Sequence, residues 1–150
     1  MAEPKQAQPD FFSLQIAEAR RFHSNLTPPA DQPLTLVSGG REHCQPEYEI
    51  HRSGFDYLGI EFVAQGEGSL RLDGSDYVLT PGALFAYGPG IPQAITTDSK
   101  QTMVKYFVDF AGTRGVALLH EFGPKPGQVL HHTAPGEHIG IYDDIIRCGL

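Results

Sequence analysis

The chain has 150 residues, with eleven basic and eighteen acidic side chains for a formal net charge of −7, two cysteines and no tryptophan. That length suits one domain, and seventeen glycines with twelve prolines interrupt the backbone too often for a bundle of long helices. Nucleic-acid binding by these residues is not expected, because an acidic chain without a Lys/Arg cluster has nothing with which to neutralise phosphates.

Residues 1–10 are polar, carry two prolines and lack a signal-type apolar core, so they read as a mobile tail. No later apolar run approaches the ~18 residues that span a bilayer. A soluble, cytoplasmic protein with no membrane partner is expected. Asp10 offers an N-cap to Phe11–His23, where Phe12, Ile16 and Ala19 fall on one helical stripe; Thr27-Pro28-Pro29 ends the pattern. From Pro33 the period becomes strand-like. Leu34–Val37 alternates loosely, and in Tyr57–Ala64 the side chains of Leu58, Ile60 and Phe62 share a face.

Leu70-Arg71-Leu72 and Tyr77-Val78-Leu79 flank Asp73-Gly74, a hairpin signal. Ala83–Tyr87 lies between Pro81-Gly82 and Gly88-Pro89-Gly90, and Met103–Phe110 is the longest β run. Six or more strands with no helical pattern between residues 34 and 110 predict an antiparallel sandwich or closed barrel, read here as a small barrel. Val116–Phe122 is helical and stopped by Gly123-Pro124. Gln128–His132 is extended, and Glu137–Cys148 forms a second helix with Ile139, Tyr142 and Ile146 on one stripe and Ile141 and Ile145 beside it. The sequence stops at Leu150 without a C-cap, as a longer chain cut there would. Cys44 and Cys148 lack CxxC spacing and are expected as free thiols. The organisation that follows is an arm with a short helix over 1–33, a barrel over 34–112 and a helical segment over 113–150.

The run Val63-Ala64-Gln65-Gly66-Glu67-Gly68-Ser69-Leu70-Arg71-Leu72-Asp73-Gly74, followed by Tyr77-Val78-Leu79-Thr80-Pro81-Gly82-Ala83-Leu84-Phe85-Ala86-Tyr87-Gly88-Pro89-Gly90-Ile91-Pro92-Gln93, resembles a cupin barrel. More specifically it resembles the N-terminal effector-sensing domain of AraC-type transcriptional regulators. Tyr106–Gly112 extends the likeness, which covers residues 34–149. Gly66 and Gly68 would let the chain reverse between strands, and Gly82 and Gly90 would take positive φ at corners. The resemblance implies a mainly β fold: a small antiparallel cupin barrel, a double-stranded β-helix or jelly roll, with an N-terminal helical segment and C-terminal helices.

Metal-dependent cupins take two His and a Glu from the first motif and a further His from the second. Here the Glu position falls on Gly59 or Glu61, the His positions fall near Phe55 and Tyr57, and the second-motif position is Gln93. No metal and no other cofactor is expected; a small molecule would occupy such a barrel instead. The resemblance places its contacts at Arg52, at Gln93–Ile95, and at Lys105 and Phe107, with His51 beside the first.

The residues themselves leave alternatives. Alternation puts Lys105, Phe107 and Asp109 on one face, which reads either as a pocket wall or, for Lys105 and Asp109, as a solvent-facing ion pair. Arg52 lies in the site or in a loop before the strand. Glu61 reads as an outward polar residue in preference to a buried acceptor paired with Arg52. Arg41-Glu42-His43 is a secondary candidate for the barrel mouth. His131-His132 with Glu137-His138 has no regular zinc spacing. The terminal helix either packs wholly on its barrel or, as the resemblance implies and as preferred here, serves a homodimer through Ile141, Tyr142 and Ile145.

The expected function is sensing of a small-molecule effector, with carbohydrate the first choice and a small carboxylate the second. Effector binding would be coupled to DNA only through a helix-turn-helix domain absent from this chain. The competing readings are a metal-dependent cupin isomerase or oxygenase using His51 and Glu61, and a structural dimer module whose barrel is filled by its own side chains.

Overall fold

Period-two segments separated by turn residues form ten strands in the computed structural model, which describes residues 8–134 and 136–150. Most of the expected tail, residues 1–7, lies outside the described residues. The strands are β1 (Ile16–His23), β2 (Thr35–Cys44), β3 (Glu49–Arg52), β4 (Leu58–Gln65), β5 (Gly68–Leu72), β6 (Ser75–Leu79), β7 (Ala83–Tyr87), β8 (Gln93–Thr97), β9 (Val104–Ala111) and β10 (Val129–His131). Two helices accompany them, α1 (Gly115–Phe122) before β10 and α2 (Gly136–Gly149) after it. Neither is long and apolar enough to cross a membrane.

The strands pair antiparallel into a six-stranded sheet of order β1-β2-β9-β4-β7-β10 and a four-stranded sheet of order β3-β8-β5-β6. The expected mainly β jelly roll with C-terminal helices is the observed architecture. At the β5–β6 turn Asp73 and Gly74 both take positive φ, 48° and 83°, the backbone of a two-residue hairpin whose twist matches its strands.

Apolar residues of both sheets, Val63, Leu70, Leu72, Leu79, Phe85 and Ile95, with Tyr48, Phe55 and Met103 from the connecting loops, fill one part of the space between them. The six-stranded sheet is also covered on its outer face. There α2 packs Tyr142 and Ile146 against Phe22, Phe62 and Tyr106, and α1 packs Leu119 against Leu58, Ala86 and Phe110. With both faces covered, β4 and β9 read as nearly continuous apolar runs, and the polar residues within them point to an interior.

The expected N-terminal helix does not form. Residues 16–23 instead run as β1 along the edge of β2, with Arg20 opposite Arg41, Arg21 opposite Gly40 and Phe22 opposite Gly39. The stripe of Phe12, Ile16 and Ala19 was too thin to hold a helix on the core, whereas β2 offers a complete ladder of backbone partners. Gly39 and Gly40 make that approach possible. A Cβ at Gly40 would stand 2.6 Å from the Arg20 carbonyl oxygen, and one at Gly39 would stand 2.9 Å from the Phe22 ring.

Tyr142 also departs from expectation. It is 6% exposed, stacks on Phe62 with centroids 6.1 Å apart and tilts over Tyr106 at 5.5 Å, so its own barrel already uses it. Ile141, the residue before it on α2, is 59% exposed, and Ile145 is partly buried against the barrel. Both cysteines are free, Cys44 buried and Cys148 exposed. Tyr142→Ala should lower unfolding stability by about 3–5 kcal/mol, in the range for deleting a buried aromatic side chain. Urea titrations at two protein concentrations check this, since loss of an intrachain contact lowers the midpoint equally at both.

Candidate ligand-binding site

Alternation along β9 turns Lys105, Phe107 and Asp109 into the barrel, while Tyr106, Val108 and Phe110 face the helices. In register, Lys105 lies opposite Glu42 of β2 and Val63 of β4. Its ammonium donates to Glu42 Oε1 at 2.9 Å and to Glu61 Oε1 at 2.6 Å, with all three side chains 3–5% exposed. The Tyr48 and Phe107 rings lie 5.3 and 5.7 Å from the same nitrogen.

The chain of charges continues at both ends. Arg21 Nη1 donates to Glu42 Oε2 at 3.0 Å, and Tyr87 Oη donates to Glu61 Oε2 at 2.7 Å. Burial works against the Lys105 ammonium, but Glu42 and Glu61 outweigh it and hold its pKa well above the ordinary value. Burial and the Glu61 carboxylate also push the Tyr87 hydroxyl well up, so it stays a donor.

Asp109 is not Lys105's partner. Its Oδ2 accepts from Ser38 Oγ at 2.7 Å, whereas Oδ1 has no hydrogen-bond partner among the described residues, and the residue is 2% exposed. Burial lifts its pKa to about 7, opposed by the Ser38 hydrogen bond, reinforced by Glu61 and opposed again by Arg52 and Lys105. The solvent-facing Lys105–Asp109 pair is thus replaced by two separate buried groups.

Glu61, expected to point outward, is likewise buried. The sheet has no wet outer face at that position, and alternation puts Glu61 on the side of Val63, inside. Its partners are Lys105 and Tyr87 rather than Arg52. Arg52, at the end of β3, is half-buried. It donates from Nη2 to the Phe11 carbonyl at 2.7 Å and lies 5.1 Å from the Phe55 ring.

These groups surround a cavity of about 20 Å³ lined by Phe11, Phe12, Ser13, Glu42, Ile50, Arg52, Glu61, Tyr87, Lys105, Phe107 and Asp109. That volume admits one water-sized group and no sugar ring. What closes it is residues 11–13. Phe12 sets its ring edge-on to Phe107 at 5.7 Å, Phe11 meets Phe55 at 5.2 Å, and Arg21 fastens the Ser13 carbonyl at 2.9 Å. On either side of this segment lie open clefts of about 500 and 530 Å³ that share Asp10, Phe11 and Arg52 in their walls.

Two expected site residues fall elsewhere. His51 alternates outward from Arg52 on β3 and binds Glu49 Oε1 at 2.7 Å, its side chain 69% exposed. Gln93 is 3% exposed but does not line the cavity, and its amide atoms have no partner among the described residues. Glu42, Tyr87, Phe11, Phe12 and Arg21 join the site although the sequence reading gave them at most a secondary place. Glu42 could have been found only from the register that sets it opposite Lys105, and the two phenylalanines only by abandoning the helix.

The metal chemistry of enzymatic cupins does not fit these residues. Among the described residues the cavity lining presents carboxylates and no imidazole, and a lysine ammonium bridges Glu42 and Glu61 where a divalent cation would need them. Among the described residues no group of three or more His, Cys, Asp and Glu is arranged to hold a metal ion.

An antiparallel two-sheet β barrel with a polar, lysine-centred interior closed by residues 11–13 defines a small enclosed site. The chain belongs to the family of AraC-like ligand binding domains, whose sequence model matches residues 36–146. Among solved structures it is similar to a protein from Photorhabdus luminescens, at 15% identity and a TM-score of 0.49 over 81% of this chain and 98% of that one. It is also similar to a cupin 2 conserved barrel domain protein from Salinispora arenicola, at 17% identity and a TM-score of 0.49 over 81% and 97%. A third is the Cupin_2 domain of an XRE family transcriptional regulator from Enterobacter cloacae, at 13% identity and a TM-score of 0.43 over 52% and 96%. No curated protein matches the sequence.

Lys105→Met should destabilise the fold by about 3–5 kcal/mol at neutral pH, because it leaves two buried carboxylates without their cation. Chemical denaturation measures it, and a loss below about 1 kcal/mol would mean that the network is solvated.

Proposed function

We propose that this domain senses a small-molecule effector for an AraC-type transcription regulator, binding it in the barrel mouth now closed by residues 11–13. One observation carries the reading. A buried set of polar groups, including an unpartnered carboxylate oxygen on Asp109, lies beneath a segment flanked by clefts of ligand size. No catalytic step is assigned to the domain.

The charge balance favours an uncharged effector. Arg21, Arg52 and Lys105 face Glu42, Glu61 and Asp109, and Lys105 is already neutralised by two carboxylates. A carboxylate ligand would meet two glutamates with only Arg52 to receive it. A carbohydrate fits better: its hydroxyls can donate to Asp109 Oδ1 and accept from Arg52, and an aromatic such as Phe107 can stack on its ring. Entry requires Phe11 and Phe12 to move, so the effector and the segment compete for one place. Displacing that segment would alter β1, which continues from it, and with β1 the seat of α2.

In this reading α2 also contributes to a homodimer, and DNA is contacted by a helix-turn-helix domain outside these 150 residues. The dimer contact would centre on exposed Ile141 and partly buried Ile145, with Tyr142 retained by the barrel.

A thermal-shift screen with neutral pentoses and hexoses tests the effector class. A bound sugar at 100 times its Kd should stabilise the domain by about 2.7 kcal/mol, and Arg52→Ala should remove the shift while the protein still unfolds cooperatively. Stoichiometric, tightly held iron, manganese or nickel in the purified protein would overturn the sensor reading in favour of an enzyme. For the dimer, Ile141→Asp should yield monomers in sedimentation velocity under conditions where the unaltered chain is dimeric. An unaltered chain that is monomeric at all concentrations rejects the contact.

A further inference from the structure

Asp109 combines three features that its role as a pocket wall does not require. It is 2% exposed, one of its oxygens is unpartnered among the described residues, and it lines the same small cavity as residues 11–13, which close the mouth. The charged groups around it leave that oxygen unserved. On its own strand, Lys105 is engaged by Glu42 of β2 and Glu61 of β4. From β3, Arg52 spends a donor on the Phe11 carbonyl. The hydroxyls of Tyr57 and Tyr87 are raised above their ordinary pKa, by burial first in both cases, so neither changes charge near neutrality.

An ionised carboxylate with a bare oxygen in a small closed cavity that Phe11 and Phe12 also line is costly, and its protonated form much less so. The closed mouth therefore favours the acid. Lifting residues 11–13 would join the small cavity to the flanking clefts, admit water to Oδ1 and free Arg52 to turn from the Phe11 carbonyl towards the carboxylate.

We propose that Asp109 is a proton-operated latch on the barrel mouth: with its carboxyl protonated the Phe11–Phe12 segment stays shut, and its ionisation releases that segment. The inference rests on the reading that this segment covers an effector site, and it adds the condition under which an effector enters.

The pH window follows from linkage. The closed form holds the proton up to about pH 7, whereas an opened, solvated carboxyl loses it near the ordinary value of 3.8. Opening is therefore least favourable in acid, rises with pH between these values by up to about tenfold per unit, and levels off above the higher one.

Hydrogen exchange of the amides of residues 11–15, followed by mass spectrometry on the intact chain from pH 5 to 8, reads the opening constant. Dividing the rates by those of Asp109→Asn at each pH cancels the intrinsic pH dependence of exchange. The expected result is a ratio that climbs at least tenfold between pH 5 and 7 and is flat above about 7.5. Ser38→Ala, which removes a donor that favours the ionised form, should move the levelling point to higher pH and supplies the test if Asp109→Asn fails to fold.

His23 is the imidazole that touches Phe12 from β1, with centroids 6.3 Å apart. A pH response lost in His23→Gln but kept in Asp109→Asn would assign the latch to His23 and overturn the proposal. A ratio flat from pH 5 to 8 also overturns it, and if sugars still raise the melting temperature the effector reading survives that failure. The climbing ratio with no shift from any sugar supports the latch and removes the carbohydrate.

Discussion

The interaction on which the site depends is the seating of one ammonium between two carboxylates inside the barrel. Taking three charges out of water costs several kcal/mol for each ion, and the geometry must return it through short, well-aimed hydrogen bonds. Lys105 supplies two protons at 2.9 and 2.6 Å, Arg21 takes the far oxygen of Glu42, and Tyr87 takes that of Glu61. Every carboxylate oxygen in this set is thereby served. The strands that carry the donors and acceptors, β1, β2, β4, β7 and β9, are consecutive in the six-stranded sheet, so the network ties five neighbours together across their inner face.

That arrangement also decides what the barrel can do. An ammonium between Glu42 and Glu61 occupies the carboxylates that a cation would need, and it neutralises the charge that would draw an anion. In the proposed reading, what remains for an effector is Asp109 Oδ1, the guanidinium of Arg52 and the aromatic faces around them, a set that would suit a neutral hydrogen-bonding guest. The apolar filling between the sheets, from Tyr48 to Met103, leaves only the end near residues 11–13 for such a guest. The barrel is filled over part of its volume and capped over the rest.

Much of this was legible in the sequence. Alternation in Met103–Phe110 put Lys105, Phe107 and Asp109 on one face, and that face is the cavity wall; Asp73-Gly74 marked its hairpin; both C-terminal helices formed where their stripes stood. The failures share a cause. In a strand with one wet face Glu61 would point outward, and only the docking of α1 and α2 buries that outer face. Residues 11–23 were read as a helix because propensity speaks for local order, whereas β1 exists through partners on β2 some twenty residues away. Glu42 could not be singled out from Arg41 and His43 until register placed it opposite Lys105. Gln93, carried over by likeness, is buried in the four-stranded sheet yet away from the cavity, so a shared fold positioned its backbone without fixing its role.

The same strand connects the site to the helical face. Along β9 the side chains of Lys105, Phe107 and Asp109 meet the cavity, and between them Tyr106 and Val108 meet the α2 cluster. Beside it, β1 sends Arg21 inward to Glu42 and Phe22 outward, where a Cβ at Gly149 near the end of α2 would stand 2.4 Å from the Phe22 ring. Adjacent residues on two strands thus touch the mouth with one side chain and the terminal helix with the next. Close-packed interfaces yield by switching between arrangements more readily than by gradual deformation. In the proposed mechanism, a change in how residues 11–13 sit is relayed to α2 through Arg21, which holds the Ser13 carbonyl, and through its neighbour Phe22, which lies against the end of α2.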